Sequence, residues 1–173
     1  MTEELKYEVI KKFPNFEIRR YPDYALVQVE GIGEFNLVSF SAFSPLFNYI
    51  SGQNLSSKQI AMTAPVLQET IEPKKHVVSF VLPDAMAKTD IPVPANSKVI
   101  TKKVQSHDAA VLKFGGSWST RLLAEKENEL KNAVKAAGLE TEGNVYFARF
   151  DPPWKPWFLK RNEAIIKLAS NFN

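Results

Sequence analysis

The chain has 173 residues, enough for one domain with a sizeable buried core, and its 45% hydrophobic and 24% charged content excludes a disordered chain. Lys+Arg 22 against Asp+Glu 19 leaves a net charge of +3, too little basic excess for a dedicated nucleic-acid binder. The absence of cysteine excludes disulfides, thiolate catalysis, iron–sulfur clusters and cysteine zinc sites, and two histidines, His76 and His107, leave little for a metal cluster.

Met1–Lys6 shows no basic start followed by an apolar stretch, and no run of about 18 apolar residues follows anywhere. The expectation is a soluble, cytoplasmic, monomeric protein without a membrane span. Tyr7–Ile10 and Phe16–Tyr21 read as strands around a Phe13-Pro14-Asn15 turn, and Tyr24–Glu30 as a third strand ending at Gly31-Ile32-Gly33. Phe40, Phe43, Phe47 and Ile50 then recur at helical spacing with Leu46, and Gly52 is the stop; Pro45 is expected near the first turn. Gln59–Glu69 and His76–Leu82 are the next strands, and Pro83 to Pro94 is a proline-punctuated connection. Val99–Gln105 and Ala109–Phe114 read as a strand pair joined by a Ser106-His107-Asp108 turn. A long helix runs from about Ser119 to Ala137, with Leu122, Leu123, Leu130 and Val134 as its apolar stripe and Gly138 as its stop. Val145–Phe150 and Ala164–Leu168 close the set, flanking the loop Asp151-Pro152-Pro153-Trp154-Lys155-Pro156-Trp157-Phe158.

Laid side by side, the two halves repeat: strand, glycine turn, helix ending in glycine, two strands. The repeats run approximately over 16–83 and 98–169 of a single 1–173 domain, with no clear residue identity between them. They predict an α+β fold.

Little in the sequence points to catalysis. Gly31-Ile32-Gly33 lacks a third loop glycine, since Asn36 stands there, and no Gly-Lys-Ser/Thr occurs. His107-Asp108 reads as an exposed turn and His76 as an exposed strand start, with axial metal ligation as its alternative. The pairs Lys11-Lys12, Arg19-Arg20, Lys74-Lys75, Lys102-Lys103 and Lys160-Arg161 read as solvated strand ends, or as holders of a ligand carboxylate. The Phe40/Phe43/Phe47 stripe reads first as core and second as a ligand wall. Two Trp and a Phe between prolines at 154–158 are hard to bury in a loop; they either cap a pocket or cover a sheet edge.

Several segments resemble motifs of the SOUL/heme-binding protein family. They are Phe16-Glu17-Ile18-Arg19-Arg20-Tyr21, Phe47-Asn48-Tyr49-Ile50-Ser51-Gly52, Ile60-Ala61-Met62-Thr63-Ala64-Pro65-Val66 and Phe80-Val81-Leu82-Pro83. Asp151-Pro152-Pro153-Trp154-Lys155-Pro156 with Arg161-Asn162-Glu163 completes the series in family order. The resemblance implies two pseudo-symmetric βαββ-like repeats forming a distorted β-barrel flanked by two α-helices, an architecture also similar to GyrI-like effector-binding domains. It implies binding of heme or another porphyrin by a carrier or buffer without catalytic activity. The family's histidine position in the first strand motif is Arg20 here, which cannot ligate iron, and the first helix offers the uncharged Phe40 and Asn48 where other members have basic residues. Lys155 matches a basic family position.

The expected site therefore has flat apolar walls from Phe43, Phe47 and Trp154, Met62 as an adaptable filler, and Lys155 and Arg20 as cations for carboxylates, with no catalytic residues and no metal ion. The alternatives are a GyrI-like binder of hydrophobic cations, which would use a buried carboxylate, and a protein-interaction module built on the Trp154–Phe158 loop.

Overall fold

The computed structural model describes residues 2–152 and 154–173. In chain order the strands of the first half are β1 (Glu3–Glu4), β2 (Glu8–Lys12), β3 (Glu17–Tyr21), β4 (Tyr24–Ile32), β5 (Thr63–Ala64), β6 (Val66–Glu72) and β7 (Lys75–Val81), with helix α1 (Phe35–Ile50) between β4 and β5. The second half has β8 (Val99–Val104), β9 (His107–Phe114), α2 (Thr120–Ala136), β10 (Thr141–Arg149) and β11 (Asn162–Leu168). Short 3-10 turns cover Asp84–Ala87 and Trp157–Leu159. No helix among the described residues is long and apolar enough to cross a membrane.

The chain divides into two compact units. The first comprises residues 2–6 and Asp23–Gln105, and carries the antiparallel order β6-β7-β4-β8 with α1 packed on it. The second comprises Tyr7–Pro22 and Ser106–Asn173, and carries β2-β3-β9-β11-β10 with α2. The fold is α+β with two helices, as expected, and the two β-α-β-β runs β4-α1-β6-β7 and β9-α2-β10-β11 are equivalent. Within each unit the strands form an open sheet and do not close into a barrel.

The opening strands depart from the sequence reading. β8 does not pair with β9; it pairs with β4, Tyr24 opposite Val104. β3 pairs with β9, Ile18 opposite Ala110. Each unit thus borrows the strand that precedes the other half. Ser106-His107-Asp108 is consequently no exposed hairpin turn: His107 and Asp108 begin β9 and are buried. Gln59–Glu69 is also not one strand. Thr63–Ala64 pairs in parallel with the unforeseen β1, and β6 starts beyond Pro65, which has no amide to give a ladder.

α1 starts five residues earlier than its phenylalanine stripe suggests, so Pro45 lies in the helix interior and not in its first turn. No side chain caps its N-terminus, so tertiary packing holds it. The packed face is Val38, Ala42, Leu46, Tyr49 and Ile50, set against Ala25, Val27, Val29, Val78, Phe80 and Val99. Each fully buried aliphatic of this set stabilises by about 1.5–3 kcal/mol. At Gly31 the sheet and helix come so close that a Cβ would lie 2.6 Å from Val38 Cγ1. α2 is conventional: Ser119 accepts from the Leu122 amide at 3.1 Å, and Gly138, at φ +74°, ends the helix. Leu123, Leu130 and Val134 are buried beneath it, while Leu122 is half-exposed.

Candidate functional site

The face of α1 turned from the sheet is aromatic. Phe40 is 85% exposed, Phe43 48% and Phe47 47%, with Leu37 exposed beside them. The stripe read first as core is therefore surface. The reason is angular: at 100° per residue Phe40 sits about 200° round from Val38, on the opposite side of the helix. Phe43 and Phe47 stack, centroids 5.7 Å apart and planes 14° apart, and Phe43 also meets Phe80 of β7 edge-on at 5.5 Å. From Phe40 to Phe47 the stripe spans roughly 10 Å of helix axis at 1.5 Å per residue. Met62, in the same unit, is exposed on the segment before β5.

Neither histidine is offered to a ligand in the way the sequence suggests. His76 is buried, not an exposed strand start. Its Nε2 donates to the Gly33 carbonyl at 3.0 Å, which leaves Nδ1 to accept from the Thr70 hydroxyl at 2.8 Å. Both ring nitrogens are spent holding the β4–α1 turn against β6 and β7. His107 is buried at the start of β9, its ring 5.7 Å from that of Tyr21. Among the described residues no group of three or more His, Asp or Glu side chains is placed to hold a metal ion.

The charged residues of the second unit are organised rather than solvated. Arg19 is 0% exposed. Its Nη1 and Nη2 donate to the two carboxylate oxygens of buried Glu163 at 2.8 and 2.7 Å, and its Nε donates to Glu17 at 2.8 Å. The guanidinium lies 3.8 Å over the Tyr7 ring. Burial works against its charge, but the bonds from Glu163 and Glu17 outweigh it and hold it firmly protonated. Arg20, the candidate cation on β3, makes a bidentate pair with buried Asp108 at 2.8 and 2.9 Å, and Asp108 also accepts from the Phe172 amide at 2.7 Å. Burial acts to raise the Asp108 carboxyl; Arg20 and that amide overcome it and keep it below the usual carboxylate range.

Trp154, the third candidate wall, is 84% exposed, and Trp157, Phe158 and Leu159 stand out beside it. Pro153 lies outside the described residues. Lys155 donates to Asp151 at 2.7 Å, and Asp151 also accepts from the Arg161 amide at 2.5 Å. Burial acts to raise the Asp151 carboxyl, and these two donors hold it low nonetheless. Of the six candidates, Phe43 and Phe47 share one face of the first unit, with Met62 elsewhere in that unit. Trp154 and Lys155 share one loop of the second unit, and Arg20 sits on β3 of that unit.

Two arrangements carry no mark in the sequence. One is the Arg19–Glu163 pair, separated by 144 positions. The other is Arg149 over the Trp118 ring at 4.0 Å. Only the strand pairings bring these partners together, and a charged residue within a strand pattern gives no hint of what lies across the ladder.

A family model described as SOUL heme-binding protein matches residues 2–167. No curated protein matches the chain in sequence. Among solved structures, the EcmrR C-terminal domain superposes with a TM-score of 0.67 at 12% identity, covering 95% of this chain and 98% of its own. A hydrolase from Listeria innocua superposes with a TM-score of 0.61 at 11% identity, covering 92% and 94%. A transcription regulation protein from Staphylococcus aureus does so with a TM-score of 0.53 at 9% identity, covering 95% and 98%. At these identities the likeness establishes the fold alone.

Proposed function

Because the chain belongs to the SOUL heme-binding protein family, we propose that it is a non-catalytic carrier or buffer of heme or a related porphyrin, acting as one 1–173 domain and binding the macrocycle by its flat face without an axial side-chain ligand. The observation that carries this reading is the exposed aromatic face of α1, with Phe43 and Phe47 stacked and Phe40 largely in solvent. A row of largely exposed rings on a helix offers a flat apolar ligand a surface of its own shape. The occupied nitrogens of His76 support the absence of an axial bond from that residue. When bound, the porphyrin supplies a large planar apolar surface and two carboxylates. Met62, in the same unit as this aromatic face, is assigned as a further apolar contact.

The cationic-ligand alternative needs a buried carboxylate left over for the ligand. The buried carboxylates among the described residues, Glu17, Asp108 and Glu163, are each bound by an arginine, which favours a neutral or anionic ligand. A second reading, a protein-interaction surface, is favoured by the exposure of Trp154, Trp157, Phe158 and Leu159 on one loop.

The test is a fluorescence titration of the chain with metal-free protoporphyrin, alongside a Phe43→Ser/Phe47→Ser double variant. Both positions are exposed enough for the variant to fold, which its thermal unfolding checks. The expected outcome is saturable one-to-one binding, weakened about tenfold or more in the variant through lost apolar contact. Equal affinity in the two proteins would remove α1 from the site.

A further inference from the structure

Among the described residues of the second unit, Arg149 is a partly desolvated cation without a carboxylate partner. Arg149 ends β10, half-buried, with its guanidinium carbon 4.0 Å from the centroid of the Trp118 ring. Among the described residues its side chain meets neither a carboxylate nor a hydrogen-bond acceptor, whereas Arg19 and Arg20 each have a bidentate carboxylate. Burial accordingly pulls the Arg149 guanidinium below its ordinary range. A charge taken partly out of water without a partner is costly, and an apolar side chain of similar length would pack there without that cost.

Its platform is fixed from two sides. The Trp118 Nε1 donates to Asn162 Oδ1 at 3.0 Å, and Asn162 Nδ2 donates to the Gly116 carbonyl at 2.8 Å. Asn162 lies opposite Arg149 in the β10–β11 register, and Phe147 meets Trp118 at 6.2 Å. The Gly116 amide donates to the Trp157 carbonyl at 3.0 Å, which sets the Trp157–Leu159 turn beside this loop. Trp157 and Phe158 there are exposed and packed edge-to-face at 5.6 Å.

The geometry points to a carboxylate-binding site at Arg149, on the Trp118 platform, that takes a small planar carboxylic acid. A guanidinium stacked on an indole has one face covered and its in-plane N–H fork free, the arrangement that receives a planar carboxylate through two parallel bonds. The exposed rings of the neighbouring turn offer the flat, apolar body of such an acid a surface. A tetrahedral dianion would match neither the single charge nor the rings. The site uses the second unit alone and does not rest on the porphyrin reading.

The test follows the Trp118 indole N–H resonance of the full chain, assigned with Trp118→Phe, during titration with benzoate, benzamide and inorganic phosphate. Benzoate is expected to shift it saturably, neutral benzamide to leave it in place, and phosphate to act more weakly than benzoate. Arg149→Met is expected to weaken benzoate at least about tenfold, the loss of a charge-assisted bond, with Arg149→Lys in between. Because Arg149 has no carboxylate partner among the described residues and a methionine can still pack on the Trp118 ring, Arg149→Met should unfold at the same temperature or higher. The proposal is overturned by no benzoate response, by equal response to benzamide, by a phosphate response exceeding that of benzoate, or by undiminished binding in Arg149→Met. The benzoate–benzamide contrast decides the matter even if that variant fails to fold.

Discussion

Single residues set the charge state of the second unit. Asp108, Asp151 and Glu17 are all held below their ordinary carboxylate range by cations or amides. Their folded forms release protons more readily than the unfolded chain does. The stability they contribute is therefore complete above the ordinary carboxylate range and is lost as pH falls through and below it, at about pH 4. Thermal unfolding followed from pH 7 to pH 3 should show a steep acid limb, flattened in Asp108→Asn and lowered overall, since Arg20 then loses a charged partner. An acid limb unchanged in that variant would contradict the assignment. Removing one side of the fully buried pair should cost more: Glu163→Gln is expected to destabilise by about 3 kcal/mol in urea unfolding, because Arg19 loses its bidentate partner in a dry site and keeps only Glu17 against its charge. At this scale the sequence is least informative. The Arg-Asn-Glu segment is visible as a motif, but the partner of Glu163 is fixed by the pairing of β3 with β9 and of β9 with β11, which no local pattern encodes. The same holds for His76, whose burial follows from its place opposite Gly31 and Thr70 in two ladders.

Elements were legible where periodicity had one solution. α2 has a single apolar stripe, a serine cap and a glycine stop, and its observed bounds fall within a residue of those expected. α1 has two apolar stripes, Val38-Ala42-Leu46 and Phe40-Phe43-Phe47, and helical spacing cannot say which one faces the sheet. The close approach at Gly31 falls on Val38, so that stripe faces the sheet and the phenylalanines are left outside. Gly31→Ala is accordingly expected to push α1 off β4, destabilising by about 1–3 kcal/mol. Because valine has little rotamer freedom to yield, the shift should also appear as chemical-shift changes along α1. A Gly31→Ala protein as stable as the parent would mean that the helix and strand are not in this contact. Position 45 offers the complementary case, since Pro45→Ala restores an amide in the helix interior and should raise stability by up to about 3 kcal/mol.

At the scale of the whole chain, the doubled α+β architecture was legible because each half carries the same order of strand, glycine turn, helix and paired strands. The exchange of opening strands was not, because hydrophobic alternation marks a strand without naming its neighbour. That exchange has a measurable consequence. Residues 106–173 alone carry β9, α2, β10 and β11 but lack β3, which pairs along most of β9. Such a fragment is expected to show no cooperative thermal transition by circular dichroism, and to gain one when a peptide of residues 7–22 is added. A fragment that melts cooperatively by itself would show that β3 is dispensable.

The candidate site divides along the same lines. Its aromatic helix could be read from the spacing of phenylalanines, whereas its outward orientation could not. The central claim is that the exposed face of α1 binds a porphyrin by its plane and not through iron. The most direct measurement is the dissociation constant of ferric heme set beside that of metal-free protoporphyrin, on the same chain and by the same tryptophan-quenching titration. Saturable one-to-one binding of both is expected, with constants within about tenfold of one another, since the two ligands share every apolar contact and both carboxylates. Binding of heme alone, with the spectrum of a ligated iron, would contradict it and place an axial ligand in the site; binding of neither would remove the porphyrin from the reading altogether.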